Sequence, residues 1–236
     1  MTTSKASRKA TAAPKKKKRR GWLVLAGLAV LACAGWWAGT TIYHRLTFQP
    51  TEQIVIACWP EQLSPHICVI NADGTGRKQL IPSEFVGDSP TWSPDGTRII
   101  FSGKSYSPTT GHSRHSTLFI INADGSGLVQ LTDGLSDAGH PAWSPDGELI
   151  AFEYFDGNKR GVATIRADGS DVTYLTDSSE AEPAWSPDGT KIAFITFPQF
   201  SSQPGIYVMN TDGSFKSLLV DIPSSSLSWS FDGAQI

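Results

Sequence analysis

Trp143-Ser144-Pro145-Asp146-Gly147 recurs along the chain. Trp92-Ser93-Pro94-Asp95-Gly96 and Trp185-Ser186-Pro187-Asp188-Gly189 repeat it in full, and Trp229-Ser230-Phe231-Asp232-Gly233 repeats it with Phe for Pro. A second mark alternates with the first: Asn71-Ala72-Asp73-Gly74, Asn122-Ala123-Asp124-Gly125, Arg166-Ala167-Asp168-Gly169 and Asn210-Thr211-Asp212-Gly213. The tryptophans are spaced by 51, 42 and 44 residues, and the second marks by 51, 44 and 44. Two independent marks with one period define a repeat, and a period in the forties is that of a propeller blade.

Each mark has a local physical meaning. Ser-Pro-Asp-Gly is a type I turn: Ser suits its first position, Pro has φ pre-set for the second, and Gly suits the fourth. The Asp-Gly of the second mark suits a tight hairpin whose central residues take positive φ. Between the turns lie short β-type runs bounded by Gly, Pro, Asp or Ser, such as Ile150-Ala151-Phe152 and Val162-Ala163-Thr164-Ile165. One repeat therefore reads as four antiparallel strands. The expected fold is all-β, a partial propeller forming an open arc of about four blades. Trp92, Trp143, Trp185 and Trp229 are its structural anchors, packed between blades.

These WD40-like repeats resemble those of the TolB propeller, a set of motifs shared with the propellers of prolyl-oligopeptidase-type enzymes. The resemblance covers about residues 54–236. It implies a β-propeller, and a propeller alone hosts many functions.

Charge divides the chain. Residues 1–20 hold nine Lys or Arg and no acid, whereas the remainder holds 11 basic and 22 acidic residues, a net of −11. The tail has almost nothing apolar to bury and reads as a disordered cytoplasmic segment. Gly21 to Tyr43 follows, 23 residues without a charge. About 20 apolar residues span a bilayer as a helix, and the preceding Lys15–Arg20 run orients the N-terminus inward. A single transmembrane helix over 21–43 is expected, with 44–53 as a linker and the propeller outside the cytoplasm. This apolar neighbour also argues against reading the basic run as a nucleic-acid site. A cleaved signal peptide is one alternative. Another is a lipoprotein acylated at Cys33, because Val30-Leu31-Ala32-Cys33 resembles a lipobox. Cys33 is otherwise a small apolar residue of the helix.

The first repeat lacks a Trp-bearing strand before Ile54-Val55-Ile56-Ala57, and the last stops partway at Ile236. The expectation is a C-terminally truncated propeller, with Leu227-Ser228-Trp229 as the one strand that could complete the first blade. Cys58 and Cys68 fall on neighbouring strands. A disulfide is permitted if the body lies outside the cytoplasm, and two buried thiols are the alternative.

The 51-residue repeat carries its excess in Gly103 to Ser116, a polar, basic insert between second and third strands. His112 and His115 lie there without a third ligand, so no metal site is expected. Gly103-Lys104-Ser105 lacks the upstream Gly of a phosphate loop. No Gly-x-Ser-x-Gly elbow occurs, the Asp-Gly marks lack the alternating carboxylates of a calcium loop, and no cofactor is expected. These residues hold no catalytic set, so a non-enzymatic role is expected of them.

Positions that break the repeat are better binding candidates than those that obey it. Three residues before each Trp stand Ser89, His140, Glu182 and Ser226, where the innermost strand begins at the channel mouth. Asp88, Asp137, Asp177 and Glu180 lie nearby, so a polar, mostly acidic mouth is expected. The resemblance implies two functions. One is a membrane-anchored platform for an envelope protein or peptide, although the α/β domain that precedes the propeller in TolB is absent from these residues. The other is the gating propeller of a prolyl-oligopeptidase-type peptidase whose catalytic domain lies beyond Ile236.

Overall fold

The computed structural model describes residues 47–48, 53–59, 65–107, 111–112, 115–133, 137–199, 201–222, 224 and 226–236, with side chains of 47–48, 105–107 and 111–112 left aside. All belong to the unit Ile42–Ile236. The basic tail, the apolar segment 21–43 and Cys33 lie outside the described residues. Among those described, no helix is long and apolar enough to cross a membrane.

Among the described residues, seventeen strands form four consecutive antiparallel sheets. The first holds β1 (Thr47–Phe48), β2 (Gln53–Cys58), β3 (His66–Asn71) and β4 (Lys78–Gln79). The second holds β5 (Phe85–Trp92), β6 (Arg98–Ser107), the small β7 (Gly111–His112), β8 (Thr117–Asn122) and β9 (Val129–Gln130). The third runs β10 (Asp137–Trp143), β11 (Leu149–Phe155), β12 (Arg160–Arg166), β13 (Thr173–Tyr174). The fourth runs β14 (Glu180–Trp185), β15 (Lys191–Thr196), β16 (Gly205–Asn210), β17 (Ser217–Val220). These are the blades that the repeat predicts.

The turns explain why the chain reverses at each mark. Gly96, Gly147, Gly189 and Gly233 all have φ near +70°, and each amide donates to the carbonyl of the Ser three residues back. That Ser hydroxyl donates to the Asp of the same turn, at 2.6 Å in Ser93–Asp95 and 2.5 Å in Ser144–Asp146. The second marks differ from expectation. Only their Gly takes positive φ (83° at Gly74), while the Asp accepts the amide two residues on, Thr75 N–H to Asp73 at 2.9 Å. Gly at the fourth position, rather than a central Asp-Gly pair, makes that turn.

In the second, third and fourth blades the second strand is buried on both faces, and its alternation divides it between neighbours. Ile99 and Phe101 join a cluster with Val55, Ile67 and Trp92, while Ile100 joins Trp143 and Phe152 in the next. Phe152 and Phe194 repeat the place of Phe101, and all three are fully buried. Each Trp seats on the blade before it. Trp185 Nε1 donates to the Ala142 carbonyl and Trp229 Nε1 to that of Ala184, both at 3.1 Å. Trp92 and Trp143 are buried, but Trp185 and Trp229 only half-buried. The turns stack as well: a Cβ on Gly147 would meet Pro94, one on Gly189 would meet Pro145, and one on Gly233 would meet Pro187.

Two local expectations are revised, and the insert, between the second and third strands as expected, gains detail. Thr47–Phe48, inside the stretch read as a linker, pair with Val55 and Ile54, so the first blade takes its fourth strand from just before β2. Leu227–Trp229 forms no strand; Leu227 and Trp229 pack with Ala193 and Ile195 of the fourth blade. The insert extends β6 and folds back as β7, with Tyr106 opposite His112. Cys58 and Cys68 are joined as a disulfide, with Cα atoms 5.9 Å apart.

Candidate functional site

Pro90, Pro141 and Pro183 stand in the middle of inner strands, where proline has no N–H for the ladder. The chain answers with a bulge at each place. Between Asp88 and Thr91, between Gly139 and Ala142, and between Ala181 and Ala184, the inner strand holds one residue more than its partner. The residue before each proline is Ser89 (φ 47°), His140 (φ 49°) or Glu182 (φ 53°). Such φ values are uncommon for residues other than Gly. Three of the four positions singled out from the sequence therefore share one bulge conformation. Ser226 does not: it lies outside the strands and is exposed, and its carbonyl accepts the Ser224 hydroxyl at 2.8 Å.

The bulge brings His140 between two carboxylates. Its Nδ1 lies 3.0 Å from Glu153 Oε2 on β11 of its own blade, and its Nε2 lies 2.9 Å from Glu182 Oε1 on β14 of the next. Partial burial works against the imidazolium, but its hydrogen bonds to the Glu153 and Glu182 carboxylates outweigh that, and the His140 pKa is pushed up to about 10. Glu153 turns its other oxygen toward Arg160 Nη1 at 3.4 Å, and the Arg160 guanidinium lies over the Phe155 ring at 5.8 Å.

A cavity of about 230 Å³ opens beside this cluster, between the second and third blades. Asp88, Ser102 and Lys104 line it from one blade; Asp137, His140, Glu153 and Arg160 line it from the other. The acids there are held in place. The Ser102 hydroxyl donates to the Asp88 carboxylate, and the Ser116 amide donates to Asp137 at 2.7 Å. Ser89 does not line the cavity, although its neighbour Asp88 does. Glu180 lies aside, buried, with Lys216 Nζ 2.6 Å away and the Ser178 amide donating to its other oxygen. Asp177 pairs with Lys159 at 2.8 Å beside a separate cavity. The lining of this cavity is thus polar and mixed in sign.

Glu153, Lys104 and Arg160 were not singled out by the repeat. Glu153 had a signal: it is the one charged residue of Leu149–Phe155, and its place opposite the bulge is Ser102 in the second blade and Ile195 in the fourth. His115 is exposed, and the side chain of His112 lies outside the described residues.

No family model matches the chain. Among curated proteins it is similar to dipeptidyl-peptidase 5 of Porphyromonas endodontalis, 33% identical over 84 residues, which is 36% of this chain and 12% of that protein. Among solved structures it is similar to a putative TolB from Agrobacterium tumefaciens, with a TM-score of 0.65 at 23% identity, covering 77% of this chain and 68% of that one. A puromycin-hydrolysing peptidase of Mycobacterium tuberculosis superposes with a TM-score of 0.58 at 16% identity over 77% of this chain and 30% of the peptidase. At these identities the superpositions speak for the fold, and the curated match spans only a short part of its relative. Four antiparallel sheets in sequence, Trp-Ser-Pro-Asp-Gly turns stacked blade on blade and these neighbours agree: the described residues have the fold of a TolB-like β-propeller.

Proposed function

We propose that this chain is a membrane-anchored, extracytoplasmic β-propeller that binds a protein or peptide of the cell envelope at its channel mouth. The observation that carries the binding role is the convergence of repeat-breaking side chains. Asp88, Lys104, Asp137, His140, Glu153 and Arg160 come from two blades to one cavity, where the rest of the fold repeats itself. Rigid scaffolds commonly place binding groups in this way. Phe155 under Arg160 adds an aromatic–Arg pair of the kind enriched in protein interfaces.

Anchoring rests on the 23 uncharged residues Gly21 to Tyr43 behind a basic run, and the Cys58–Cys68 disulfide supports an oxidising compartment. Acylation at Cys33 is the other form of anchor. A reporter active only in the cytoplasm, fused after Gln53, should be silent in cells; strong activity there would overturn the topology. For binding, fluorescent peptides from the organism's envelope proteins should titrate the purified chain saturably. Arg160→Ala with Glu153→Ala should weaken that binding at least tenfold. Equal affinity in the double variant would refute the site.

A second reading is favoured by the match to dipeptidyl-peptidase 5. In it these blades are the propeller of a prolyl-oligopeptidase-type peptidase. The gene beyond the Ile236 codon decides: a Gly-x-Ser-x-Gly elbow on a strand–turn–helix would establish the peptidase.

A further inference from the structure

The seam between the third and fourth blades differs from the seam before it. At the earlier seam the bulge residues are Ser89 and His140, and the place opposite the Ser89 bulge is Ser102. Here the bulge residues are His140 and Glu182, and the place opposite is Glu153. Both ring nitrogens of His140 face carboxylate oxygens, at 3.0 and 2.9 Å. A carboxylate oxygen only accepts, so both nitrogens must donate, and an imidazole that donates twice is a cation. That cation ties a carboxylate of its own blade to one of the next. The side chains of Glu153 and Glu182 are only 14% and 19% exposed, so they are largely sheltered from solvent.

We propose that His140 is an inter-blade clasp: as an imidazolium it locks the third and fourth blades together at the channel mouth and fixes the wall of the cavity through Glu153. Losing its proton would remove the cation that lies between Glu153 and Glu182, and the two acids would repel across the seam. The other charged or titratable groups around it are Asp137 on β10, Tyr154 on β11, Arg160 on β12, Glu180 on β14, and Asp88 and Lys104 across the cavity. Glu180 is already paired with Lys216, and Asp137 with the Ser116 amide. Neither stands in for His140. The proposal refines the regulation of the mouth read above as a binding site, but its test needs no ligand, so each can fail without the other.

The test uses the full 236-residue chain. Nitrogen-15 spectra at about pH 8 should show both ring nitrogens of His140 protonated. Glu182→Gln should lower the His140 titration by at least one pH unit, and it should speed amide exchange in Ala181–Ala184 at least tenfold at neutral pH, with Thr91–Trp92 unchanged. A singly protonated His140 ring at about pH 8 would overturn the clasp, and that measurement needs no variant. Unchanged exchange at Ala181–Ala184, or equal acceleration at both bulges, would also overturn it. If Glu182→Gln does not fold, His140→Gln is read by the same exchange criterion.

Discussion

Phe101, Phe152 and Phe194 occupy one place in three blades, each fully buried between its own sheet and the one before. Phe152→Ala removes a large side chain from a site that two sheets enclose. It is expected to cost about 3–5 kcal/mol, read as a lower denaturant midpoint. The turn aspartates act with opposite sign to His140 in pH. Hydroxyl hydrogen bonds from Ser93, Ser144 and Ser186, and then backbone amides, hold Asp95, Asp146 and Asp188 below their ordinary 3.8. Their contribution to stability is complete above that value and is lost as pH falls through the depressed values. Ser144→Ala should therefore move the acid-unfolding midpoint to higher pH. His140 is raised from 6.5 to about 10. Its contribution is complete below 6.5 and lost as pH rises toward 10. An alkaline stability scan should fall over that window in the wild type and lie flatter in His140→Gln. The residues behind these effects were unequally legible. Ser-Pro-Asp-Gly announces its own turn chemistry, and His140 and Glu182 stand out because they share a place before Trp. Glu153 stands out only as a charge in an apolar run and Arg160 not at all, because a charged residue in a β-run carries no mark of what it faces across a seam.

At the scale of the element, the inner strand is where pattern and function meet. Its proline goes with the bulge, and the bulge holds one variable residue at positive φ in each of three blades, Ser89, His140 and Glu182, of which His140 lines the cavity. That much follows from Pro90, Pro141 and Pro183 in a run otherwise read as strand. The strand β1 was illegible: Thr47–Phe48 has neither the Trp nor the turn of its counterparts, and only its pairing with β2 identifies it. The outer strands are short and easily displaced. Gly161 on β12 lies so close to the Thr176 carbonyl that a Cβ would fall well inside van der Waals contact with backbone. Gly161→Ala should therefore loosen β13 from β12, seen as faster amide exchange at Leu175 and Thr176, whose amides donate to the Val162 carbonyl.

For the whole molecule, the blades form a series in which each Trp and each turn rests on the preceding blade, so stability is shared between neighbours. The fourth blade and the residues after it leave Phe215, Leu219, Ile222 and Phe231 exposed. The chain is expected to self-associate through them, and Leu219→Ser with Ile222→Ser should shift light scattering toward the monomer. The repeat made this architecture legible from two short marks, whereas the site depends on departures from the repeat, which a period cannot specify. The central claim is that those departures gather a partner at the mouth between the second and third blades. Its most direct measurement is photocrosslinking in cells with a benzophenone amino acid placed at Phe155, and at Val129 on the exposed outer strand as control. The account predicts a discrete crosslinked partner from Phe155 that is lost when Arg160 and Glu153 are replaced by Ala. Equal crosslinking from Val129, or none from Phe155, would contradict it.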